Sequence, residues 1–200
     1  MKKLLFFFFL TAFCSINGIA QTSVIFCGAD FSLVKVRGAG ESAAIFAQTF
    51  ERINGLFISQ GEKFDVAKYT RLPIAKYELS VAQKAMKMAF EATITDNYSL
   101  LCNDHGYDCR AQIDAQVAGY EIPQNEGLGL VIVANLLDKS NRCGSFYFVC
   151  FDIASRKVTS CILAKGKSEG AGLRNYWANS LYFAMKKYYK SKQGLNGTSW

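Results

Sequence analysis

Residues 144–153, GSFYFVCFDI, are the middle of three strand-like runs near the end of the chain. The runs on either side are GLGLVIVANLL at 127–137 and VTSCILAKG at 158–166. The connections DKSNRC and ASRK are short enough for hairpins, so the three runs predict an antiparallel meander. Apolar residues occur on both alternations of the middle run. This pattern predicts a strand that is buried on both faces, or one that helices cover on one face and a partner covers on the other. The apolar residues are Phe146, Phe148 and Cys150 on one side and Tyr147, Val149 and Phe151 on the other.

The stretch GAGLRNYW at 170–177 follows the last strand and opens a long amphipathic run. Its apolar positions fall on one stripe of a helix. We interpret Gly170 and Gly172 as a hinge, because glycine allows the sharp reversal that lays a helix back on the sheet. Trp177 is then predicted to be buried. The stripe consists of Leu173, Trp177, Leu181, Ala184, Met185 and Tyr188.

A ligand-binding interpretation of the same stretch stays open. Exposed amides at the start of a helix attract anions, and Arg174 adds a charge with a fork of donors. Arg174, Asn175 and Tyr176 are therefore candidate binding residues. The spacing matches neither GxxxxGK[ST] nor GxGxxG, and GAG recurs at 38–40 between another predicted strand and helix. These two observations favour the hinge.

The first half of the chain predicts alternating strands and helices. Residues 24–36 read as one strand with a bulge at Gly28, and Ser42 caps a helix that carries an aromatic stripe. Further helices are predicted at 77–92 and 110–120, with a short strand at 94–102 between them. We expect one α+β domain over residues 21–200, with a mainly antiparallel sheet of four or five strands and helices mostly on one face. A three-layer arrangement with helices on both faces is the alternative.

The amino terminus has the pattern of a cleaved export signal. Met1–Lys3 is basic, Leu4–Phe13 is apolar, and Gly18–Ala20 supplies small residues for cleavage. The apolar run is shorter than the roughly 20 residues that a membrane anchor needs. We therefore predict a signal peptide over residues 1–20, export to the periplasm or outside the cell, and no transmembrane segment in the mature chain.

Charge gives a weaker indication of partners. The 23 Lys and Arg residues exceed the 16 Asp and Glu residues by seven, and the signal holds two of these lysines, which leaves an excess of five. Lysines and tyrosines alternate near the end, a pattern that also occurs in proteins that bind nucleic acid or anionic lipid. For an exported chain we favour a solvated helix face and predict no nucleic acid. The lysines are Lys186, Lys187, Lys190 and Lys192.

Six cysteines remain after the predicted cleavage, and an oxidising compartment permits disulfides. Cys102 and Cys109 flank a polar turn, so we predict a bond between them that stabilises the fold by about 2 kcal/mol. Cys150 and Cys161 face each other if the last hairpin turns symmetrically about Ser155 and Arg156, and their oxidation state is left open.

Catalytic residues are hard to find. His105 is the only histidine, and no GxSxG elbow is present. Cys102, His105 and Cys109 lie close in sequence, but their spacing matches no standard zinc site, so we predict no metal and no cofactor. Buried carboxylates with a raised pKa would suit acid–base chemistry. The carboxylate candidates are Asp30, Asp104, Asp108 and Asp152.

The order of predicted elements resembles known exported domains. A cleaved signal, a strand–helix opening and a strand–strand–strand–helix ending are similar to periplasmic domains of the TolB amino-terminal kind. Activators of penicillin-binding proteins and the curli secretion lipoprotein's periplasmic domain share this layout. The ending, with Asp152, the glycine turn and the RNYW helix start, also resembles uncharacterised exported proteins of the Bacteroides group. The resemblance covers the last third of the chain well, the first strand–helix unit loosely, and residues 59–126 not at all.

These observations favour a non-catalytic module of the cell envelope. We expect it to bind a protein, a glycan or another partner at the envelope surface. The alternative is an exported hydrolase with an unfamiliar carboxylate site. Two carboxylates converging in a cleft would favour the enzyme, whereas an exposed sheet edge or a flat apolar patch would favour the binding module.

Overall fold

Six strands form one mixed sheet in the computed structural model, which describes residues 23–93 and 100–195. The strands are β1 (Val24–Asp30), β2 (Lys35–Arg37), β3 (Ile74–Tyr77), β4 (Leu128–Asp138), β5 (Cys143–Asp152) and β6 (Val158–Lys167). The helices are α1 (Ala43–Asn54), α2 (Leu56–Ser59), α3 (Val66–Thr70), α4 (Ser80–Thr93), α5 (Ile113–Ala118) and α6 (Leu173–Leu195), with a 3-10 turn over Arg110–Gln112. The α+β class is confirmed. The predicted signal peptide at 1–20 lies outside the described residues.

The strand order corrects the expected mainly antiparallel sheet. Along the sheet the order is β3, β1, β4, β5 and β6, and β2 pairs with β4 beyond the end of β1. β4, β5 and β6 form the predicted antiparallel meander. β1 is parallel to both β3 and β4, and β2 is parallel to β4. The long crossovers that carry α1 to α5 allow this arrangement, because parallel neighbours need a connection of about a dozen residues or more.

The first predicted strand is divided in two. β1 ends at Asp30 and β2 resumes at Lys35. Gly28 has φ +97°, and the register with β4 shifts between Phe26 and Ala29, so the predicted bulge is present. The buried Asn54 side chain of α1 accepts a hydrogen bond from the Ala29 amide at 2.8 Å and donates one to the Ala29 carbonyl at 2.7 Å. Asn54 thus satisfies the backbone groups that the bulge removes from the ladder.

Residues of helices belong to the apolar clusters on both faces of the sheet, so the expected packing of helices mostly on one face is not shown. Side chains of β4 from Leu130 to Ala134 and of β5 from Phe146 to Phe151 alternate between two apolar clusters. On the face that we call the α6 face, Phe146 and Phe148 pack with residues of α1 and α6, including Phe50 and Trp177. On the opposite face, called the α5 face, the Val149 side chain belongs to the second cluster with α5.

Helix boundaries agree with the sequence patterns except around β3. Ser42 caps α1, as predicted, by accepting a hydrogen bond from the Ile45 amide at 3.4 Å. The helix predicted at 77–92 begins only at Ser80, because Ile74–Tyr77 pairs with β1 as β3. Most of the strand predicted at 94–102 lies outside the described residues. Leu101 makes a single parallel bridge to Val36.

Candidate functional site

The glycine-rich stretch lies between β6 and α6. Gly170 has φ +112° and Gly172 has φ +77°, conformations that glycine adopts without the strain of a side chain. Trp177 is fully buried in the core of the α6 face, four residues after α6 begins at Leu173. The geometry is that of a chain reversal followed by a buried aromatic anchor.

The three candidate binding residues occupy the first turn of α6. Arg174 and Asn175 are exposed, and Tyr176 is half-buried with its ring edge-on to Trp177 at 4.8 Å between centroids. The Arg174 guanidinium donates to the Asn175 side-chain oxygen through Nε at 3.1 Å and Nη2 at 2.9 Å. Part of the donor fork is therefore used within the pair. Ligand binding by these residues stays a prediction.

Asp30 is the buried carboxylate at the carboxyl end of β1. Its Oδ2 accepts hydrogen bonds from the Tyr120 hydroxyl at 2.6 Å and from Gln116 Nε2 at 2.9 Å. Its Oδ1 accepts from the Ser32 amide at 2.8 Å and from the Ser32 hydroxyl. Burial and the neighbouring Asp30 charge raise the pKa of Tyr120 well above its ordinary value, so this tyrosine keeps the proton that it donates.

Asp108 is held by a second tyrosine on the same face. The Tyr147 hydroxyl donates to Asp108 Oδ1 at 2.6 Å. The next residue, Cys109, is fully buried, and its amide donates to Asn135 Oδ1 at 2.8 Å. Burial and the charge of Asp108 raise the pKa of the Cys109 thiol to about 12, which removes its nucleophilic character at neutral pH. Asp30 and Asp108 both act electrostatically on this thiol, but each carboxylate has its own tyrosine donor.

Asp152 and Asp104 stabilise turns elsewhere. Asp152, the last residue of β5, accepts from the Ser155 amide and hydroxyl at 2.7 Å each, and these bonds lower its pKa. Asp104 accepts from the Gly106 amide at 2.7 Å. The four aspartates therefore do not share one cleft. Neither of two surface cavities, about 410 Å³ between α1 and α4 and about 320 Å³ beside the end of β1, is lined by an aspartate.

His105 lies beside an ion pair that the sequence did not predict. Its Nδ1 is 4.0 Å from Oδ2 of Asp138, at the end of β4, and Arg37 contacts both oxygens of this carboxylate at 3.0 Å. Burial acts to raise the pKa of Asp138, but hydrogen bonds from Asn141 and from Arg37 outweigh it and lower this pKa. Among residues 23–93 and 100–195, no three His, Cys, Asp or Glu side chains are arranged to hold a metal ion.

The predicted disulfide between Cys102 and Cys109 is absent, and both thiols are free. Cys102 Sγ lies 3.7 Å from the Asp104 carbonyl oxygen, whereas Cys109 is directed into the apolar cluster of the α5 face. The short loop was compatible with closure, but the buried position of Cys109 was not visible in the spacing.

The cysteines of the last hairpin do not face each other either. Cys161 pairs with Val149, and Cys150 pairs with Ser160. The two thiols therefore lie on opposite faces of the sheet. Next to the turn, Phe151 pairs with Val158, two residues away from the symmetric register, and after the shift between Cys150 and Phe151 the pairing is one residue away from it.

β6 presents a free edge of the sheet. Its only strand partner in the described part of the chain is β5. α6 covers one face of β6, and on the other face Leu163, which pairs with Tyr147, is 41 % exposed. The first seven residues of the strand, VTSCILA, carry no charge, and the two lysines come only at Lys165 and Lys167. Natural sheet edges are commonly protected by charged residues, so the uncharged part of β6 is an open pairing surface.

No protein-family model, curated protein or solved structure matches this chain. The resemblances to periplasmic domains therefore remain expectations of the sequence. Within the described ranges, no helix has the length and apolar character needed to cross a bilayer.

The hydrogen bond from Tyr120 to the buried Asp30 can be tested by substitution. We expect Tyr120→Phe to destabilise the protein by about 1–3 kcal/mol, because the fully buried carboxylate loses a donor that water cannot replace. Tyr147→Phe is the matched control. Its partner Asp108 is exposed, so water restores the bond and the loss should stay near about 0.5 kcal/mol. Urea unfolding of both variants measures the difference. Equal losses would contradict the assignment of Asp30 as an interior carboxylate that depends on Tyr120.

Proposed function

We propose that this protein is an exported, non-catalytic module of the cell envelope that binds a protein partner through the free edge of β6. The observation that carries the proposal is the uncharged edge Val158–Ala164 with Leu163 beside it. An extended segment of a partner adds to such an edge as a further strand, with main-chain hydrogen bonds supplying affinity and alternate side chains supplying specificity.

Export is proposed from the sequence of the first 20 residues. The free thiols are compatible with an oxidising compartment, because thiol–disulfide exchange requires a thiolate. Burial raises the pKa of five of the thiols, to about 12 for Cys27 and Cys109. The other three are Cys102, Cys143 and Cys161.

The arrangement of the carboxylates supports binding rather than hydrolysis. A carboxylate pair that performs hydrolysis needs both groups at an accessible cleft with room for substrate and water. Asp30 is fully buried and receives four hydrogen bonds, and Asp152 and Asp104 belong to turns. None of the four candidate aspartates lines either cavity, and the carboxylates at the larger cavity are Glu51 and Glu91.

Site-specific photo-crosslinking tests the edge proposal. A photoreactive residue in place of Leu163 is compared with one in place of Ile58, which is 65 % exposed and lies on α2. Each full-length variant is expressed in the native cells and irradiated in an extract of their envelope. We expect a discrete protein adduct from position 163 that excess unlabelled wild-type protein removes.

The variant Leu163→Asp provides the competitor control. It places a charge on the edge and removes an apolar contact worth about 1.5 kcal/mol or more, so it should compete at least about tenfold less well than wild type. Identical adducts from positions 163 and 58, or equal competition by both proteins, would contradict binding at β6. Turnover of a cell-wall substrate without any adduct at position 163 would favour the hydrolase.

A further inference from the structure

A second surface, formed by α3, α6 and the turn before α3, combines aromatic rings with cations that form no ion pair within the described residues, although Lys63 donates to Asn179 Oδ1 at 2.7 Å. We name it the basic–aromatic surface, and its members are Lys63, Lys68, Arg71, Lys186, the buried Tyr69, and the partly exposed Tyr182 and Tyr189. The tyrosines join the two helices, because the Tyr69 ring lies 6.0 Å from the Tyr182 ring and 6.4 Å from the Tyr189 ring, edge-on in both pairs. The cations are brought together by the fold and do not form a run in the sequence.

Each cation of this surface lies over a ring. Arg71 is 4.6 Å from the Tyr189 centroid, and Lys63 and Lys186 approach Tyr182 at 5.1 Å and 5.3 Å. Lys68 is 5.7 Å from the Tyr69 centroid. Every cation–π contact between described residues has one of these four cations as its partner. The rings hold the charged groups at the surface in a fixed arrangement.

The charges of this surface are not neutralised by carboxylates. None of the four cations forms an ion pair among the described residues, whereas Lys76, Lys84, Lys87 and Lys167 each do. The nearby Asp65 is used as the cap of α3, where it accepts from the Lys68 amide. From Gly170 to the end of the sequence there is no Asp or Glu. The surface therefore fits an anionic partner.

We propose that the basic–aromatic surface binds the anionic phospholipid headgroups of a membrane. Clustered Lys and Arg residues are attracted to an anionic leaflet, and tyrosines favour the interface between headgroups and acyl chains. Single-stranded nucleic acid is disfavoured because it needs open ring faces on which bases stack. Here the faces of Tyr182 and Tyr189 are occupied by the protein's own cations. This inference is independent of the strand edge proposed for the protein partner.

Vesicle co-sedimentation tests the proposal with the protein as its cells produce it. We expect binding to vesicles of phosphatidylglycerol and phosphatidylcholine, no binding to vesicles of phosphatidylcholine alone, and release by high salt. The triple variant Lys68→Gln, Arg71→Gln, Lys186→Gln should bind the anionic vesicles about 100-fold less well, since each charge near the surface contributes about fivefold.

A variant with the same change in net charge serves as the matched control. Lys76→Gln, Lys84→Gln, Lys87→Gln removes three exposed lysines that pair with carboxylates outside the basic–aromatic surface, and it should bind like wild type. Equal losses in the two triple variants would overturn the assignment of this surface. Absent binding to the anionic vesicles, or tighter binding to a single-stranded oligonucleotide at the same salt, would overturn the choice of lipid.

Discussion

Replacing Gly166 with alanine is expected to destabilise the protein by more than about 3 kcal/mol, the upper end of the usual cost of overpacking. Gly166 lies in β6 directly beneath α6. A Cβ atom there would be 1.8 Å from the Ser180 carbonyl oxygen and 2.6 Å from the Ala184 amide nitrogen. Both are backbone atoms of the helix, so no side-chain rotation relieves the clash. The whole of α6 must shift away from the sheet, and with it the buried Trp177 and Leu181.

Gly40→Ala is the control for this substitution. Nothing lies within 4 Å of a Cβ atom at Gly40, and its φ is not positive, so alanine is accommodated. We expect its stability to stay within about 0.5 kcal/mol of wild type or to increase, because alanine restricts the unfolded chain. The free energies of unfolding in urea compare the two variants. A Gly166→Ala protein as stable as the Gly40→Ala protein would show that α6 does not contact β6 at this point.

Trp177→Ala is expected to cost about 3–5 kcal/mol, the range for a large aromatic side chain removed from a core. Trp177 is fully buried and belongs to the cluster that joins α6 to β4 and β5. Thermal and urea unfolding both measure the loss. A loss below about 1 kcal/mol would contradict the interpretation of Gly170 and Gly172 as a hinge that delivers this anchor to the core.

Arg174→Ala separates the hinge from the ligand-binding interpretation. The side chain is exposed and donates hydrogen bonds to the adjacent Asn175, so its removal should change the free energy of unfolding by less than about 0.5 kcal/mol. If Arg174 instead binds an anion, the variant should lose anion binding while the melting temperature of the ligand-free protein stays nearly unchanged. A large loss of stability in Arg174→Ala would contradict both interpretations.

The strands of the last third could be predicted because their signals are local. β5 carries apolar residues on both alternations, and the structure places Phe148 in one cluster and Val149 in the other. This pattern does not indicate whether helices pack on one face of the sheet or on both. α5 is short, and it packs with Val131 and Val149 only because a long crossover places it there. Local periodicity does not indicate which element, distant in sequence, packs on a given face of the sheet.

The parallel part of the sheet was missed for a similar reason. β3 has four residues directly after Pro73, too short for an alternating pattern, and it becomes a strand only because β1 lies beside it. The sequence leaves open whether Asp30 is buried, and its donors Gln116 and Tyr120 lie 86 and 90 residues away in sequence. Contacts at such separations are set by the fold and leave no spacing signal in one sequence.

The pairing of Cys150 with Ser160 shows that counting residues outward from an assumed symmetric turn does not predict the register of a hairpin that contains a bulge. A symmetric hairpin would have set Cys150 against Cys161, and the register shift beside Phe151 moves each cysteine to a different face. A shift of one residue reverses the face of every following side chain. Turn geometry, rather than the composition of the strands, decided this outcome.

Residue-resolved amide hydrogen exchange across β6 tests the free edge most directly. Backbone groups of an antiparallel strand point alternately toward and away from the neighbour, and in the described residues β6 has β5 on one side and no strand on the other. We predict that between residues 160 and 167 every second amide is protected while the amides between them exchange rapidly. Slow exchange at every position along this stretch would show that the edge is covered, and it would contradict the proposal that β6 receives a partner strand.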